Sequence, residues 1–369
     1  MTVMQRPSRR HFIAGLGTAI ASTWTEPLRA APEPKEEIIG QGSHRYRVVR
    51  DWVTPGQGRN HPILNCHEMV QTKDGRLFMI GDHSDNQMLI YKQDGTILDS
   101  WGAGWPGGHG LTHSDENGEE FLFVTDSGLW KSGGGGFRQC GRVAKIDLNG
   151  KEIFSLSHPM TVGAYEPDWN FNPTEVAIGP NGDIYVVDGY GSNYVLRYDQ
   201  RGKFISRFGG KDGVPVEERL SNAHGIALDS RAGVDKATLI VTSRADNCFR
   251  RFTLDGKCLE TIATPGAYVC RPVIAGQELY AGVCWSKDKD GKFVKDPSGF
   301  VVVIDAAGKV IAAPGAEEPV YEGDKLKPLL RKENVFDHGH DVCVLDNGDL
   351  IVCQWNALQT YPIKLEKIA

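Results

Sequence analysis

The chain has 369 residues, with 41 Lys+Arg against 47 Asp+Glu, a formal net charge of -6 and 40% hydrophobic residues. That apolar share excludes a disordered chain, and no run of about 20 apolar residues exists to span a bilayer. The mild acidity offers no basic patch for nucleic acid, while 44 glycines point to a turn-rich, all-β chain.

The N-terminus reads as an address. Ser8-Arg9-Arg10-His11-Phe12-Ile13 matches the twin-arginine export pattern, a weakly apolar stretch runs from Ile13 to about Ser22, and small residues follow at Arg29-Ala30-Ala31. Residues 1–30 are therefore expected to be a twin-arginine signal peptide, with the export machinery as a partner and a periplasmic or secreted destination. The apolar stretch is too short for a stable membrane span. Cys248/Cys258, Cys270/Cys284 and Cys343/Cys353 are locally spaced candidates for disulfides in an oxidising compartment. No CxxC occurs, and pairing stays open at this level.

Beyond the signal the chain repeats itself. An apolar strand leads through Asn-Gly or Asp-Gly to a second apolar strand, as in His67-Glu68-Met69-Val70, Asp74-Gly75 and Leu77-Phe78-Met79-Ile80. The phrase recurs from His109, Thr174, His224 and His340, and more weakly from Pro272. The second halves repeat too: Val143-Ala144-Lys145-Ile146-Asp147, Asn149-Gly150 and Ile153-Phe154 have counterparts after Leu89, Val195, Phe249 and Val301. Asn-Gly and Asp-Gly between β-rich runs are strong hairpin signals. Six such units of four strands predict a six-bladed β-propeller over 60–369. The last unit has three strands, so a lone strand at 46–52, within the 31–59 segment, is expected to complete it and close the ring. Gly128–Cys140 and Trp285–Pro297 are expected as insertions in blades 2 and 5, and Pro314–Phe336 as the link from blade 5 to blade 6.

The opening residue of each first strand sits at the mouth of the central channel. In blades 1 to 6 that residue is His67, His109, Thr174, His224, Pro272 and His340. Blades 2, 4 and 6 alternate around the axis, so His109, His224 and His340 converge at about 120°. Three imidazoles with one open position are the ligand pattern of catalytic zinc. His67 breaks the threefold pattern and is expected to line the channel or stand behind the ligands. Trp101, Trp105, Trp130, Trp169 and Trp355 are expected to fill gaps between blades rather than to line a substrate mouth.

Val186-Val187-Asp188-Gly189-Tyr190-Gly191-Ser192-Asn193, followed by Gly202-Lys203-Phe204-Ile205, resembles NHL-repeat propellers. More narrowly, His109-Gly110-Leu111, His224-Gly225-Ile226 and His340-Asp341-Val342 resemble the zinc-binding contexts of the peptidyl-α-hydroxyglycine α-amidating lyase domain. The resemblance implies Zn²⁺ on His109, His224 and His340, a catalytic Tyr190, a pocket-lining Arg244, and a structural Ca²⁺ held partly by Leu111 and Asp341. It departs at Ile80, where the family has an Arg before Gly81-Asp82-His83. It departs again at Gly191, in place of a disulfide cysteine, and at His338, in place of a methionine. Arg76 and Arg244 are left to supply the missing cation, and His338 joins His67 behind the ligands. The implied reaction breaks a carbinolamide C–N bond in a small-molecule or peptide-derived substrate, giving an amide and a glyoxylate-like aldehyde. A separate monooxygenase would have to make that substrate. Two other readings stand beside it: a binding propeller with a structural metal, and a metal-dependent hydrolase or lactonase on the same scaffold.

Overall fold

The computed structural model describes residues 36–368, apart from positions 55, 103, 133, 134, 295 and 358. The signal-like segment 1–30 lies outside the described residues. Among them no helix is long and apolar enough to cross a membrane.

Six antiparallel sheets form the blades. Blade 1 runs Cys66–Gln71, Leu77–Gly81, Met88–Tyr91 and Ile97–Trp101. Blade 2 runs Gly108–Glu116, Glu119–Asp126, Arg142–Asp147 and Glu152–Ser155. Blade 3 opens with Glu175–Ile178 and blade 4 with Ala223–Asp229. Blade 6 holds Gly339–Val344, Leu350–Gln354 and Ile363–Lys367. The first strand of each blade neighbours the first strand of the next, and that of blade 6 neighbours that of blade 1, so the ring closes. Turn chemistry enforces the repeat: the Asp147 carboxylate accepts the backbone N–H groups of Asn149 and Lys151 at 2.9 Å, and Gly150 takes the positive φ of 85° that the turn requires.

The core is six apolar layers, one between each pair of blades. Phe78, Ile80 and Met88 of blade 1 pack against Leu111 and Leu122 of blade 2, and Val301 and Val303 of blade 5 pack against Val352 and Leu365 of blade 6. Each fully buried side chain of this size stabilises the fold by about 1.5–3 kcal/mol. Because the layers run radially, they leave the axis free for polar groups.

Two expectations are corrected. The ring-closing element is a hairpin, Ile38–Gln41 with His44–Val49, and not a lone strand at 46–52. Its second strand pairs with Ile363–Lys367 in the register Tyr46↔Lys367, which makes blade 6 five-stranded. Trp52 leaves the strand because its ring is needed elsewhere: it buries in the layer between blades 6 and 1 and donates to the Gln93 carbonyl at 3.0 Å. In blade 5 the inner strand is split into Ala267–Val269 and Val273–Ala275, both paired with Glu278–Ser286. Cys270-Arg271-Pro272 spans the break, and the proline has no N–H to continue the ladder. The blade 2 insertion forms its own hairpin, Leu129–Ser132 with Gly135–Arg138.

Candidate active site

Each channel histidine sits where the strand ladder slips. Register shifts fall between Cys66 and Glu68, Gly108 and Gly110, Ala223 and Ile226, and Gly339 and Asp341. The bulged residue is in turn His67, His109, His224 and His340. A bulge re-aims one side chain without ending the sheet, and here it brings buried imidazoles together on the axis. Ring centroids are 4.8 Å apart for His109–His224 and His224–His340, and 4.9 Å apart for His109–His340. His67 stands on the other side of the last pair, 4.9 Å from each.

Backbone carbonyls set the tautomers. His109 Nδ1 donates to the Thr174 carbonyl and His340 Nδ1 to the His67 carbonyl, both at 2.9 Å. A carbonyl only accepts, so each neutral ring keeps its lone pair on Nε2. Burial, with neighbouring imidazoles and Arg244 adding to it, holds His109, His224 and His340 well below the ordinary histidine range. They are thus neutral, as ligation requires. His340 Nε2 and His224 Nδ1 are buried without a hydrogen-bond partner. The Tyr190 hydroxyl lies 3.1 Å from His109 Nε2, to which it can donate, and 3.0 Å from His224 Nε2, from which it can accept. His67, His109 and His340 form one group of buried possible ligands within 4.8 Å of one another, and His224, Cys270 and His340 form another; nitrogen and sulfur donors of this kind fit a divalent metal of the zinc type.

Tyr190 is placed by the turn that follows the second strand of blade 3. The Asp188 carboxylate accepts from the Tyr165 hydroxyl at 2.8 Å and from the N–H groups of Asn172 and Ser192 at 2.7 Å. Burial pushes that carboxyl up to about 6. Gly189 allows the close approach to blade 4, since a Cβ there would collide with the Ala223 carbonyl and stand 2.8 Å from the Thr174 hydroxyl. Burial raises the Tyr190 phenol, and Arg244 draws it back. Arg244, 8% exposed, is anchored by Nε to Asn222 Oδ1 at 2.5 Å, and its guanidinium carbon lies 5.7 Å from the rings of Tyr190 and Trp285. Among the described residues its charge-bearing neighbours are Tyr190, Cys284 and Cys270, with no carboxylate within ion-pair distance. It faces a cavity of about 480 Å³ whose floor includes His67, His109 and Tyr190. Trp130, Trp285 and Trp355 form aromatic walls, whereas Trp101, Trp105 and Trp169 pack between blades as expected. Arg138 ties the blade 2 hairpin to the site, donating to Asn172 Oδ1 at 2.7 Å and to the Tyr190 carbonyl at 2.9 Å.

Other expected residues fall elsewhere. His338 is outside the ring: its Nδ1 donates to the Cys284 carbonyl at 2.8 Å, and its imidazole packs between Trp285 and Trp355. Ile80 is fully buried in the layer between blades 1 and 2, and Arg76 pairs with Asp74 at 2.7 Å away from the cavity, so of Arg76 and Arg244 it is Arg244 that faces it, with Arg138 also in the lining. All eight cysteines are free. Cys270 and Cys284 lie against the Arg244 guanidinium at 3.8 and 3.7 Å, and Cys270 groups with His224 and His340 within 4.8 Å as possible ligands.

Beside Leu111 and Asp341, where the resemblance implies calcium, the resident cation is Arg271, while Asp341 Oδ1 and Glu68 Oε1 are buried without a hydrogen-bond partner. Arg271 Nη1 lies 3.3 Å from Asp341 Oδ2 and its Nε lies 3.1 Å from Glu175 Oε2 and 3.6 Å from Glu68 Oε2. The Leu111 N–H donates to Glu68 Oε2 and the Met69 N–H to Asp341 Oδ2, both at 2.8 Å. A calcium ion at its usual 2.3–2.6 Å from Asp341 would press against a guanidinium. The carboxylates of Glu68, Glu175 and Asp341 are fully buried around that one cation. Burial pushes Glu68 and Asp341 up, which limits the negative charge the cluster carries. Sequence reasoning missed Arg271; its only signal was a charged residue inside a β-rich run, directly before proline.

No family model matches the chain. A Caenorhabditis elegans protein named as a peptidyl-alpha-hydroxyglycine alpha-amidating lyase is 32% identical over 133 residues, covering 35% of this chain and 33% of that protein. NHL repeat-containing protein 3 of Homo sapiens is 28% identical over 208 residues, covering 50% of this chain and 57% of that protein. The matches thus span a third to about half of these relatives' lengths. Among solved structures, a gluconolactonase of Xanthomonas campestris superposes with TM-score 0.55 at 12% identity, covering 90% of this chain and 95% of that one. A virginiamycin B lyase of Staphylococcus aureus gives 0.51 at 13% identity, covering 90% of this chain and all of the other. At such identities these two speak to fold alone. The chain is a six-bladed β-propeller, similar over part of its length to a protein named as a probable peptidyl-α-hydroxyglycine α-amidating lyase and to an NHL repeat-containing protein.

Proposed function

We propose that this chain is a metal-dependent lyase that breaks the C–N bond of an N-acyl or peptidyl α-hydroxyglycine, releasing an amide and glyoxylate. The observation that carries the reading is the Tyr190 hydroxyl held 3.0–3.1 Å from two channel imidazoles, beside a buried Arg244 with no acidic partner. His109, His224 and His340 would hold the ion. Zinc bound there would supply Lewis-acid polarisation of a substrate oxygen.

The protein's own groups do the rest. Arg244 takes the substrate carboxylate in a charge-assisted contact beside the aromatic walls of the cavity. The aromatic walls take the acyl part. Tyr190, whose phenol burial raises and Arg244 partly draws back, would act as the base that removes the proton of the carbinol hydroxyl where a bound cation also favours its phenolate. The carbonyl of glyoxylate forms as the C–N bond breaks, and the same proton returns to the leaving amide nitrogen, so atoms and charge balance. Substrate supply falls to a separate hydroxylating monooxygenase, and export by the twin-arginine route places the reaction in the periplasm or outside the cell.

The test is glyoxylate release from an α-hydroxyglycine amide by protein of measured metal content. Release that is lost on chelation, restored by Zn²⁺ and absent in Tyr190→Phe supports the reading. Metal-loaded protein that binds a carboxylate ligand but releases no glyoxylate overturns it in favour of a binding propeller. Replacing Arg9 and Arg10 with Lys should hold the protein inside the cell if the export reading is right.

A further inference from the structure

We propose that the blade 2 hairpin builds a second anion subsite in the cavity, and that the substrates are N-acyl hydroxyglycines whose acyl part carries a carboxylate of its own. This rests on the lyase reading above and narrows its substrate class.

Two guanidiniums and one carboxylate line the cavity, Arg138 and Arg244 against Asp82. Asp82 is already engaged: it accepts from the Asn65 backbone N–H at 2.9 Å and side-chain amide at 2.7 Å, and its Oδ2 faces His67 Nε2 at 3.4 Å. The carboxylate of the hydroxyglycine goes to Arg244, so Arg138 is the cation left over. Its three hydrogen bonds among the described residues all go to uncharged acceptors. Nε and Nη2 donate to Asn172 Oδ1 at 3.0 and 2.7 Å, and Nη2 donates also to the Tyr190 carbonyl at 2.9 Å. Nη1 has no partner among the described residues. Asp188 is near enough to feel this charge, but both its oxygens are taken, by Tyr165, Asn172 and Ser192.

A second donor stands on the same hairpin. Trp130 Nε1 is buried without a hydrogen-bond partner, and a buried donor left unmade is a standing cost. Phe137, the cross-strand partner of Trp130, stacks on its ring at 4.4 Å and 19°, and both line the cavity. Asn172 fixes the base of the hairpin, since its side-chain amide donates to the carbonyls of Ser127 and Gln139 at 2.7 and 2.8 Å. A guanidinium already gripped at Nε and Nη2 loses little freedom when a ligand meets Nη1. Guanidinium and indole N–H groups only donate. An oxygen anion satisfies both, whereas a purely apolar acyl group satisfies neither. Arg138 is exposed, so the contact is modest and screened by salt.

The test is calorimetric binding of unreactive N-acylglycines to the Zn²⁺-loaded full-length protein. N-succinylglycine and N-glutarylglycine are each compared with an uncharged analogue in which an isopropyl group replaces the terminal carboxylate. We expect at least one diacid to bind about five- to tenfold tighter than its analogue, with most of that preference lost at about 0.5 M salt. Arg138→Gln should abolish the preference while the analogues still bind through Arg244. Arg138→Lys should keep part of it, which separates lost charge from a hairpin that has come loose, and Trp130→Phe should lower it with the aromatic stack kept. No preference in the native protein, a preference that survives Arg138→Gln, or no binding of any probe overturns the inference. The analogues report the Arg244 contact by themselves and glyoxylate release reports the lyase reading, so the two failures are told apart.

Discussion

Arg271→Met tests the idea that a guanidinium is the resident cation below the histidine ring. The substitution keeps an unbranched apolar stem and removes the guanidinium and its charge. Glu68, Glu175 and Asp341, each fully buried, then lose the cation that stands 3.1–3.6 Å from them. One contact of this length is worth about 5 kcal/mol in Coulomb energy at an effective dielectric of about 20. Desolvation and protonation of the carboxyls offset much of the sum, so the measured loss should resemble that of breaking a buried pair, about 3–5 kcal/mol. For a chain this long that corresponds to a fall in Tm of roughly 5 °C. The vacated cluster should now take calcium, and saturation at about 100 times Kd would return about 2.7 kcal/mol. The assay is thermal unfolding of both proteins in EGTA and in millimolar Ca²⁺. We expect native protein to ignore calcium and Arg271→Met to be rescued by it. Native protein that gains several degrees from calcium, or a variant as stable as native in EGTA, would refute the reasoning.

Tyr190→Phe should lower kcat by about 10²–10⁴-fold, the usual worth of a positioned acid–base group, with metal content unchanged by elemental analysis. Arg244→Gln should weaken carboxylate substrates. Since Arg244 draws the Tyr190 phenol down, it should also move the basic group in the pH profile of kcat/KM to higher pH; an unmoved profile would separate the two residues. Metal-free protein should lose stability in acid. The folded state holds His109, His224 and His340 well below the 6.5 at which the unfolded chain protonates. Stability is therefore full above pH 6.5 and falls below it, by about 1.4 kcal/mol per pH unit for each histidine, and denaturant titrations that stay flat from pH 7 to 5 would contradict this. Gly189→Ala should cost about 1–3 kcal/mol through its collision with blade 4 and displace Tyr190, which paired melting and kinetic measurements would show.

Local chemistry made much of this protein legible in one dimension. Turns such as Asp147-Leu148-Asn149-Gly150 close through contacts two to four residues apart, so the repeat, the strand count and the six blades follow from short windows of sequence. The shared register of His67, His109, His224 and His340 follows as well, because a closed ring of equivalent blades carries equivalent residues to one axis. Tyr190 and Arg244 drew notice only through a family resemblance. That they face one cavity with the imidazoles depends on a turn held by Asp188, Tyr165 and Asn172, partners that lie up to 23 residues apart. Trp130, Trp285 and Trp355 look no different in sequence from the tryptophans that fill layers between blades; only the path of the insertions puts them on the pocket wall.

What tertiary structure alone decided is what crosses between blades. The hairpin 38–49 joins the far end of the chain, and Arg271 leaves a broken strand to meet carboxylates from blades 1, 3 and 6. Asp82 takes one nitrogen of His67, and among the described residues nothing takes the other. The sequence determined the blades and the ring of donors, since both rest on local periodicity. The charge at the axis and the free lone pairs were settled only in three dimensions, because each depends on which distant group reaches a buried atom first.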